Sequence, residues 1–201
     1  MVAERPEAAL SVREVLEEWL PQSFAARGRP MPPDCPRLRV TVRGATLVDR
    51  VFAASEYELD ILDDTEDADF WVRLSEADFK ALLHGDPDLP VLLPPERDLI
   101  DLMVVDAAEL ERFKAIEGRL AVEITGRRRR RFCLDVAFGP AGFRAGRPKS
   151  TVRLDGAAVE DVLAGKKAPL QALLEGKIRV EGDRALAMQA LMLVVSQTAR
   201  R

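Results

Sequence analysis

The residues that most often carry catalysis or bind metals are scarce in this chain. Its 201 residues include a single histidine, His84, and two cysteines, Cys35 and Cys133. Zinc sites built from cysteine and histidine, and nucleophilic sites built on a Cys–His or Ser–His pair, need more of these residues. The sequence also lacks a glycine-rich phosphate loop and a Gly-x-Ser-x-Gly elbow. We therefore predict a protein that is not an enzyme and that uses no metal and no cofactor.

One acidic run has the chemistry to bind a cation. Residues 63–67 read Asp-Asp-Thr-Glu-Asp. An EF-hand calcium loop also needs a glycine at its sixth position and a bidentate glutamate at its twelfth, and both are missing here. We therefore expect a solvated loop ahead of Phe70.

Charge is distributed unevenly along the chain. The formal net charge is −4, but residues 1–125 carry −13 and residues 126–201 carry +9. The overall negative charge argues against a general nucleic-acid binder, and only Phe132 and Phe143 lie near the arginines of the basic half for base stacking. We therefore expect no nucleic-acid partner. The acidic half can also pack against the basic half.

Five consecutive arginines, Arg127 to Arg131, lie between two alternating apolar segments and predict the turn and edge of a hairpin. One interpretation is a solvated turn that blocks aggregation. The other is contact with anionic lipid headgroups or with the phosphates of an acyl-CoA. The residues predicted for that contact are Arg127, Arg128, Arg129, Arg130, Lys166 and Lys167.

The N-terminal residues MVAERPEAAL do not resemble a secretory signal, because no basic segment is followed by an apolar one. The two cysteines have no disulfide framework around them. No window approaches the ~18 consecutive apolar residues of a membrane-spanning helix. We predict a reduced, cytoplasmic protein.

The first predicted elements are a helix and a connector. Ser11 and Glu14 have the spacing of a capping box, and an apolar face from Val12 to Leu20 predicts a helix that packs on its own domain. We expect Pro21 to end this helix. The proline-rich residues 21–36 then form a connector, so that residues 1–36 make up one N-terminal region.

Two later stretches of the chain share one order of elements. Period-two apolar patterns predict antiparallel strands around 38–42, 57–61, 70–74, 120–124, 132–138 and 152–154. A capped helix follows each set of strands, from Ser75 to Gly85 and from Asp155 to Gly165.

The two strand-to-helix junctions align with each other. Residues 72–85 match residues 152–165 without a gap and share six identities in 14 positions. An internal duplication explains this match. Chance similarity explains it as well, because capping residues, helical spacing and a terminal glycine follow from general physics.

The C-terminal stretch has a more specific pattern. A proline-led short helix from Pro169 to Leu174 is followed by a Gly-Lys-apolar strand from Gly176 to Gly182 and an Ala- and Met-rich helix from Leu186 to Leu193. These segments resemble the C-terminal half of the sterol carrier protein 2 (SCP2-type) domain. The resemblance covers about residues 107–196, and residues 37–106 resemble a degenerate second copy.

The resemblance implies an α+β fold, in which an antiparallel or mixed sheet of about five strands has helices packed on one face around an apolar tunnel. It implies non-enzymatic binding or transfer of an apolar lipid: a sterol, fatty acid, acyl-CoA, phospholipid or isoprenoid. On this basis residues 37–106 are a degenerate repeat and residues 107–201 are the lipid-binding domain.

The residues themselves lead to a related hypothesis. Residues 185–195 are apolar around nearly the whole circumference of a helix. Such a helix inserts into its own core, docks on another subunit or on the first unit, or lines a lipid cavity. From the strand and helix periods we predict that the cavity is lined by Phe132, Leu134, Val136, Val152, Leu154, Leu163, Leu173, Leu174, Ile178, Val180, Leu186, Met188, Leu191 and Met192.

Two other functions fit the same sequence. In one, the fold has a filled core and its C-terminal helix recruits a protein partner or a second copy of the chain. In the other, the protein is an accessory factor that holds a hydrophobic quinone precursor for membrane enzymes. The sequence does not separate this second role from general lipid transfer.

Overall fold

One mixed β-sheet organises the chain in the computed structural model, which describes residues 5–28, 31, 35–62, 68–93, 111–112 and 114–190. Its strands are β1 Leu38–Arg43, β2 Leu47–Ala54, β3 Leu59–Leu62, β4 Phe70–Ser75, β5 Gly118–Thr125, β6 Arg131–Phe138, β7 Ser150–Asp155 and β8 Ile178–Gly182. They lie in the order β3-β2-β1-β4-β6-β5-β7-β8. The predicted α+β class with a mixed sheet is confirmed.

The number of strands differs from the prediction, because the sheet has eight strands rather than about five. In each half of the chain two consecutive strands pair antiparallel, and a later strand returns parallel to the first of them. The halves then join where β4 pairs antiparallel with β6 and Leu74 lies opposite Leu134. The two units predicted at 37–106 and 107–201 therefore share a single sheet.

Most of the helices cover one face of this sheet. They are α1 Val12–Glu14, which continues through a π turn at Val15–Trp19 into α2 Leu20–Ala26, then α3 Glu76–His84, α4 Gly139–Arg144, α5 Gly156–Leu163, α6 Pro169–Leu174 and α7 at 184–190. All of them except α4 contribute side chains to the main apolar cluster. Helix α4 lies on the opposite face, where Phe143 meets Trp71 edge-on with 6.3 Å between ring centroids. The expectation of helices on one face only is corrected by α4.

The two faces of the sheet differ in polarity because side chains alternate along each strand. We call the face under α1–α3 and α5–α7 the inner face, which carries Val40, Val72 and Val152 among its apolar residues. The opposite, outer face carries charged side chains such as Arg73 and Asp135, which are direct partners across β4 and β6. The main core therefore lies between the inner face and the helices.

The N-terminal helix packs on the inner face and is longer than predicted. Ser11 and Glu14 form the expected capping box, and Leu16 and Phe24 are buried in the core. The helix does not end at Pro21, however, because the π turn ahead of it resets the hydrogen-bond register. Pro21 then occupies the first turn of α2, where a missing N–H is tolerated. The connector accordingly begins after Ala26 rather than at residue 21.

Candidate functional site

The inner face of β5 to β8 brings together the strand residues that were predicted to line a cavity. One row across the strands consists of Leu134, Val122, Val152 and Val180. The next row consists of Phe132, Ile124, Leu154 and Ile178. Val136 pairs with Leu120 in the row on the other side. All seven predicted strand residues therefore share one apolar face, while their role towards a ligand stays a prediction.

Burial varies along this inner face. Under the N-terminal helix it is fully covered, since Val42 and Phe52 are each only 1% exposed. From β4 onwards, several apolar residues of the inner face are only half-buried although they lie on interior strands. They are Val72, Val122, Leu134, Val136 and Leu154, with Val180 on the outermost strand. Accessible apolar surface therefore remains on the inner face towards β8.

The helices place part of the predicted lining over this surface. Leu186 of α7 is buried in the main cluster, and Leu173 of α6 is partly buried against it. Met188 is half-buried. Phe132 is buried too, but it packs with Ala81 of α3 in a second cluster. Leu191 and Met192 lie outside the described residues.

Two predicted lining residues lie on the outside of the protein. Leu163 is 45% exposed and Leu174 is 81% exposed, so neither side chain closes the interior in this structure. The reason is the rotation of the short helices α5 and α6, which present Val162 and Ala172 to the core instead. A helical period predicts which residues share a face, but not which face of a six- or eight-residue helix is inward.

Two kinds of residue share this apolar surface but were not among the predicted lining residues. Val122 and Ile124 on β5 obey the same alternation as the predicted residues, so the signal for them was present. Val72 on β4 belongs to the other half of the chain and reaches this surface only because β4 pairs with β6. No pattern in the sequence indicates that pairing.

The arginine-rich segment forms the predicted hairpin turn between β5 and β6, and it contacts the first half of the chain. The Nη2 atom of Arg130 lies 2.9 Å from a carboxylate oxygen of Asp78, and its Nε lies 2.9 Å from Asp86. A hydrogen bond from the Asp88 backbone N–H and one from Arg130 hold the pKa of Asp86 below its ordinary value. Arg130 therefore joins the two halves of the chain, while its contact with lipid headgroups stays a prediction.

The other predicted headgroup residues differ in their surroundings. Arg127 and Arg129 are exposed, and Arg128 lies 3.7 Å from an Asp88 carboxylate oxygen. Lys167 pairs with Glu175 at 2.5 Å, and this hydrogen bond raises the pKa of Lys167. Lys166 is exposed.

A cleft of about 250 Å³ opens between the arginine turn and the start of α5, with Asp88, Arg127 and Glu160 on its walls. Its lining is mixed in charge and shares no residue with the predicted lipid lining. Within the described ranges, no three His, Cys, Asp or Glu side chains are grouped so that they could hold a metal ion. The cleft therefore gives no separate indication of a ligand.

The outer face holds a cationic cluster around Trp71. The guanidinium carbons of Arg39, Arg73 and Arg119 lie 5.0, 5.1 and 5.7 Å from the indole centroid. Asp135 accepts hydrogen bonds from Arg73 at 2.8 Å and from Arg119 at 2.5 Å through the same oxygen. The cluster cross-links four strands of the sheet, which is a structural role.

Asp49 also belongs to this cluster, because it accepts hydrogen bonds from Arg39 and Thr41. Its pKa makes the free energy of unfolding depend on pH. Burial alone would raise the pKa of Asp49, but hydrogen bonds from Arg39 and Thr41 outweigh it and lower the pKa below 3.8. A carboxylate with a lowered pKa stabilises the folded protein at pH values above its pKa in the unfolded state. This stabilisation is lost as the pH falls through its pKa in the folded state. We expect the free energy of unfolding to fall below about pH 4, and to fall less steeply in Asp49→Asn. Urea titrations at several pH values measure both slopes, and equal slopes would contradict the assignment.

Comparison with known proteins gives a match for the C-terminal half. Residues 98–194 match the family model described as the SCP-2 sterol transfer family. None of the helices in the described ranges has the length and hydropathy to span a bilayer. The comparison with curated proteins found no match. The resemblance of the C-terminal half to this family is thereby confirmed.

Three solved structures are partly similar to the chain. The sterol carrier protein domain 2 of Helicoverpa armigera is 20% identical, with 58% of this chain and 95% of that chain covered and a TM-score of 0.38. Sterol carrier protein 2 from Yarrowia lipolytica is 16% identical, with 42% and 73% covered and a TM-score of 0.30. Sterol carrier protein 2-like 2 from Aedes aegypti is 22% identical, with 44% and 93% covered and a TM-score of 0.28.

Proposed function

We propose, on the premise that residues 98–194 match the SCP-2 sterol transfer family, that this chain binds an apolar lipid in a tunnel between the inner face of its sheet and helices α5–α7. It carries the lipid without transforming it. The family match supports binding or transfer of apolar lipids in general, and the tunnel and its position in this chain are the finer parts of the proposal.

The observation that carries the proposal is the half-buried apolar surface on the inner face from β4 to β8. Val122, Leu134 and Val136 lie on interior strands, where apolar side chains are normally buried completely, yet all three keep accessible surface. Leu173 and Leu186 contribute apolar side chains from the helix side. A bound hydrocarbon would cover this surface, which explains why the protein's own side chains leave it uncovered.

The ligand is defined by its hydrocarbon part. Burial of ~300 Å² of sterol or acyl surface at ~25 cal/mol per Å² contributes ~7 kcal/mol before association costs. Micromolar affinity corresponds to ~8 kcal/mol net of association costs, so a ligand that binds this tightly must bury more apolar surface than this or add a polar contact. Sterols, fatty acids, acyl-CoA, phospholipids and isoprenoids, including quinone precursors, all meet this requirement.

The same proposal assigns a different role to the N-terminal half. We interpret it as a degenerate copy of the lipid-binding unit, since β1, β2 and β4 repeat the arrangement of β5, β6 and β7. In this half Leu16, Leu20 and Phe24 of the N-terminal helix occupy the space above the inner face. One lipid per chain is therefore expected. Cys35 and Cys133 are not joined in a disulfide, which fits a reducing compartment such as the cytoplasm.

A binding experiment with a space-filling variant tests the proposal. The delipidated full chain is titrated with a fluorescent fatty acid and with a fluorescent sterol. We expect micromolar binding of at least one of them, and at least tenfold weaker binding by Val122→Phe, about 1.4 kcal/mol, because the larger ring fills the space of the ligand.

The matched control is Ala121→Phe, which adds a ring on the same strand but on the outer face, and it should bind like the wild type. Equal weakening in both variants would mean that the effect is structural. If the wild-type chain binds neither probe and retains no lipid from a cell extract, the filled-core interaction module becomes the better explanation.

A further inference from the structure

We propose that the edge strand β8 pairs antiparallel with β8 of a second copy of this chain, with the two-fold axis at Val180. The two eight-stranded sheets then form one continuous sheet. This inference goes beyond the proposed lipid-carrier function and does not depend on it. It rests on the backbone geometry of β8 and on the order of the charged side chains along that strand.

The pairing of β8 with β7 leaves the backbone groups of alternate residues at the open edge of the sheet. Val180 lies opposite Val152. At the ends of β8, the Lys177 carbonyl accepts a hydrogen bond from the last residue of β7, and the Asp183 N–H donates one to the residue that precedes β7. Because hydrogen-bonded and non-hydrogen-bonded pairs alternate in an antiparallel ladder, the N–H and C=O groups of Ile178 and Val180 point away from β7. Within the described ranges β8 has no neighbouring strand on that side.

The charged side chains of β8 select one register for the pairing. A symmetric antiparallel pair places its two-fold axis at one residue, which then lies opposite its own copy. An axis at Arg179 or at Glu181 brings two like charges directly opposite each other, which is destabilising. An axis at Val180 instead places Arg179 of each copy opposite Glu181 of the other. In this register the outward backbone groups of the two Val180 residues also meet.

The neighbouring strands leave a place for this second glutamate. On the outer face Arg179 lies opposite Arg153 of β7, and Arg153 pairs with Glu123 on its other side. The Nε of Arg179 donates a hydrogen bond to the Gly176 carbonyl at 3.2 Å, but no carboxylate within the described ranges pairs with its guanidinium. Glu181 contacts Arg153 through Oε1 only and has a side chain that is 59% exposed. Its other oxygen is therefore available to Arg179 of the second copy.

The inner face of β8 is compatible with the same pairing. Val180 is half-buried there, and the pairing places the two Val180 side chains next to each other, which covers part of their exposed surface. A strand of five residues is small beside the roughly 20–30 residues that each partner gives to a standard interface. We therefore expect a weak dimer whose population depends on concentration.

A second copy fits this edge better than an unrelated strand does. A foreign strand needs a glutamate and an arginine in the matching order, whereas the second copy supplies both by symmetry. The other outer strand, β3, has Asp60 as its one charged residue and so has no order of charges that matches its own copy. The charge complementarity is therefore specific to β8.

Sedimentation equilibrium of the delipidated full chain at several concentrations tests the pairing. We expect the wild type to show an equilibrium between monomer and dimer. Arg179→Glu and Glu181→Arg should each dimerise at least tenfold more weakly, because each places like charges opposite each other at two positions of the symmetric pair. An equimolar mixture of the two variants should form a heterodimer with nearly the wild-type affinity, because every facing pair is again one arginine and one glutamate.

A backbone variant and a matched control complete the test. Val180→Pro removes an N–H that points to the open edge and not to β7, so this variant should fold but should not dimerise. Asp60→Lys reverses an exposed charge on β3, at the opposite edge of the sheet, and should dimerise like the wild type. Circular dichroism checks that each variant is folded.

Four outcomes would overturn the inference. They are a wild type that stays monomeric at its highest soluble concentration, a dimer that both charge variants form as readily as the wild type, a mixture of these variants that stays monomeric, and a dimer that is lost in Asp60→Lys. Species that grow beyond a dimer would indicate head-to-tail pairing of β3 with β8 and would equally contradict it. Because the chain is delipidated, none of these results depends on whether it carries a lipid.

Discussion

Replacing Asp135 with alanine is expected to lower the free energy of unfolding by about 3 kcal/mol. One oxygen of Asp135 accepts hydrogen bonds from both Arg73 and Arg119, and Arg119 is only 4% exposed. Without the carboxylate, the charge of Arg119 stays buried with only carbonyl acceptors such as that of Ala145. Urea unfolding followed by tryptophan fluorescence measures the loss, since Trp71 lies within the same cluster.

The control for Asp135 is a carboxylate on the neighbouring strand of the same face. Glu123 pairs with Arg153, whose side chain is 45% exposed. Exposed pairs of this kind contribute at most about 1 kcal/mol, so Glu123→Ala should be nearly neutral. Similar losses in both variants would show that the burial of Arg119 does not determine the effect.

The second large effect is expected at the N-terminal helix, where Leu16→Ala should lower the free energy of unfolding by about 2–5 kcal/mol. Leu16 is 1% exposed and belongs to the apolar cluster over the N-terminal half of the sheet. Truncation removes apolar contacts and leaves a cavity that neighbouring side chains fill only partly. Thermal or urea unfolding of the purified variant measures the change.

Leu47→Ala serves as the comparison for Leu16→Ala, because Leu47 is largely exposed and its truncation should change stability by less than about 0.5 kcal/mol. Under conditions where Leu16→Ala remains folded, it should still bind lipid, since the proposed tunnel lies over the other half of the sheet. A small loss of stability in Leu16→Ala would mean that the N-terminal helix is not part of the core.

The features that could be predicted from the sequence are the local ones. Helix starts at Ser11, Ser75 and Asp155 are confirmed, because a side-chain cap is a contact between residues two or three positions apart. The alternating strands of the second half are also confirmed. Their inner faces agree with the predicted pattern because burial on one side imposes a period of two.

Strand β2 was not predicted because its burial does not follow that period. Arg50 lies on the inner face, where it pairs with Glu17 of the N-terminal helix at 2.5 Å. Its neighbour Val51, on the outer face, is completely buried. The exception at Arg50 arises from a contact with a distant part of the chain, and a local pattern contains no information about it.

The proposed site was predicted in part for a similar reason. Its strand residues follow from alternation, whereas the contribution of Val72 depends on the pairing of β4 with β6 between residues far apart in the chain. The outward positions of Leu163 and Leu174 depend on how two short helices are rotated against the sheet. Such long-range geometry is set by packing rather than by local sequence.

The pairing of β4 with β6 also affects how the protein avoids misassembly. Backbone N–H and C=O groups at an open sheet edge recruit strands from other molecules and can begin amyloid-like stacking. Among the strands that the structure describes, the outer ones are β3, with four residues, and β8, with five. Without the other half, the first half would expose β4, with six residues, and the second half would expose β6, with eight. The pairing of β4 with β6 therefore keeps two long strands inside the sheet and leaves the short strands β3 and β8 at its edges.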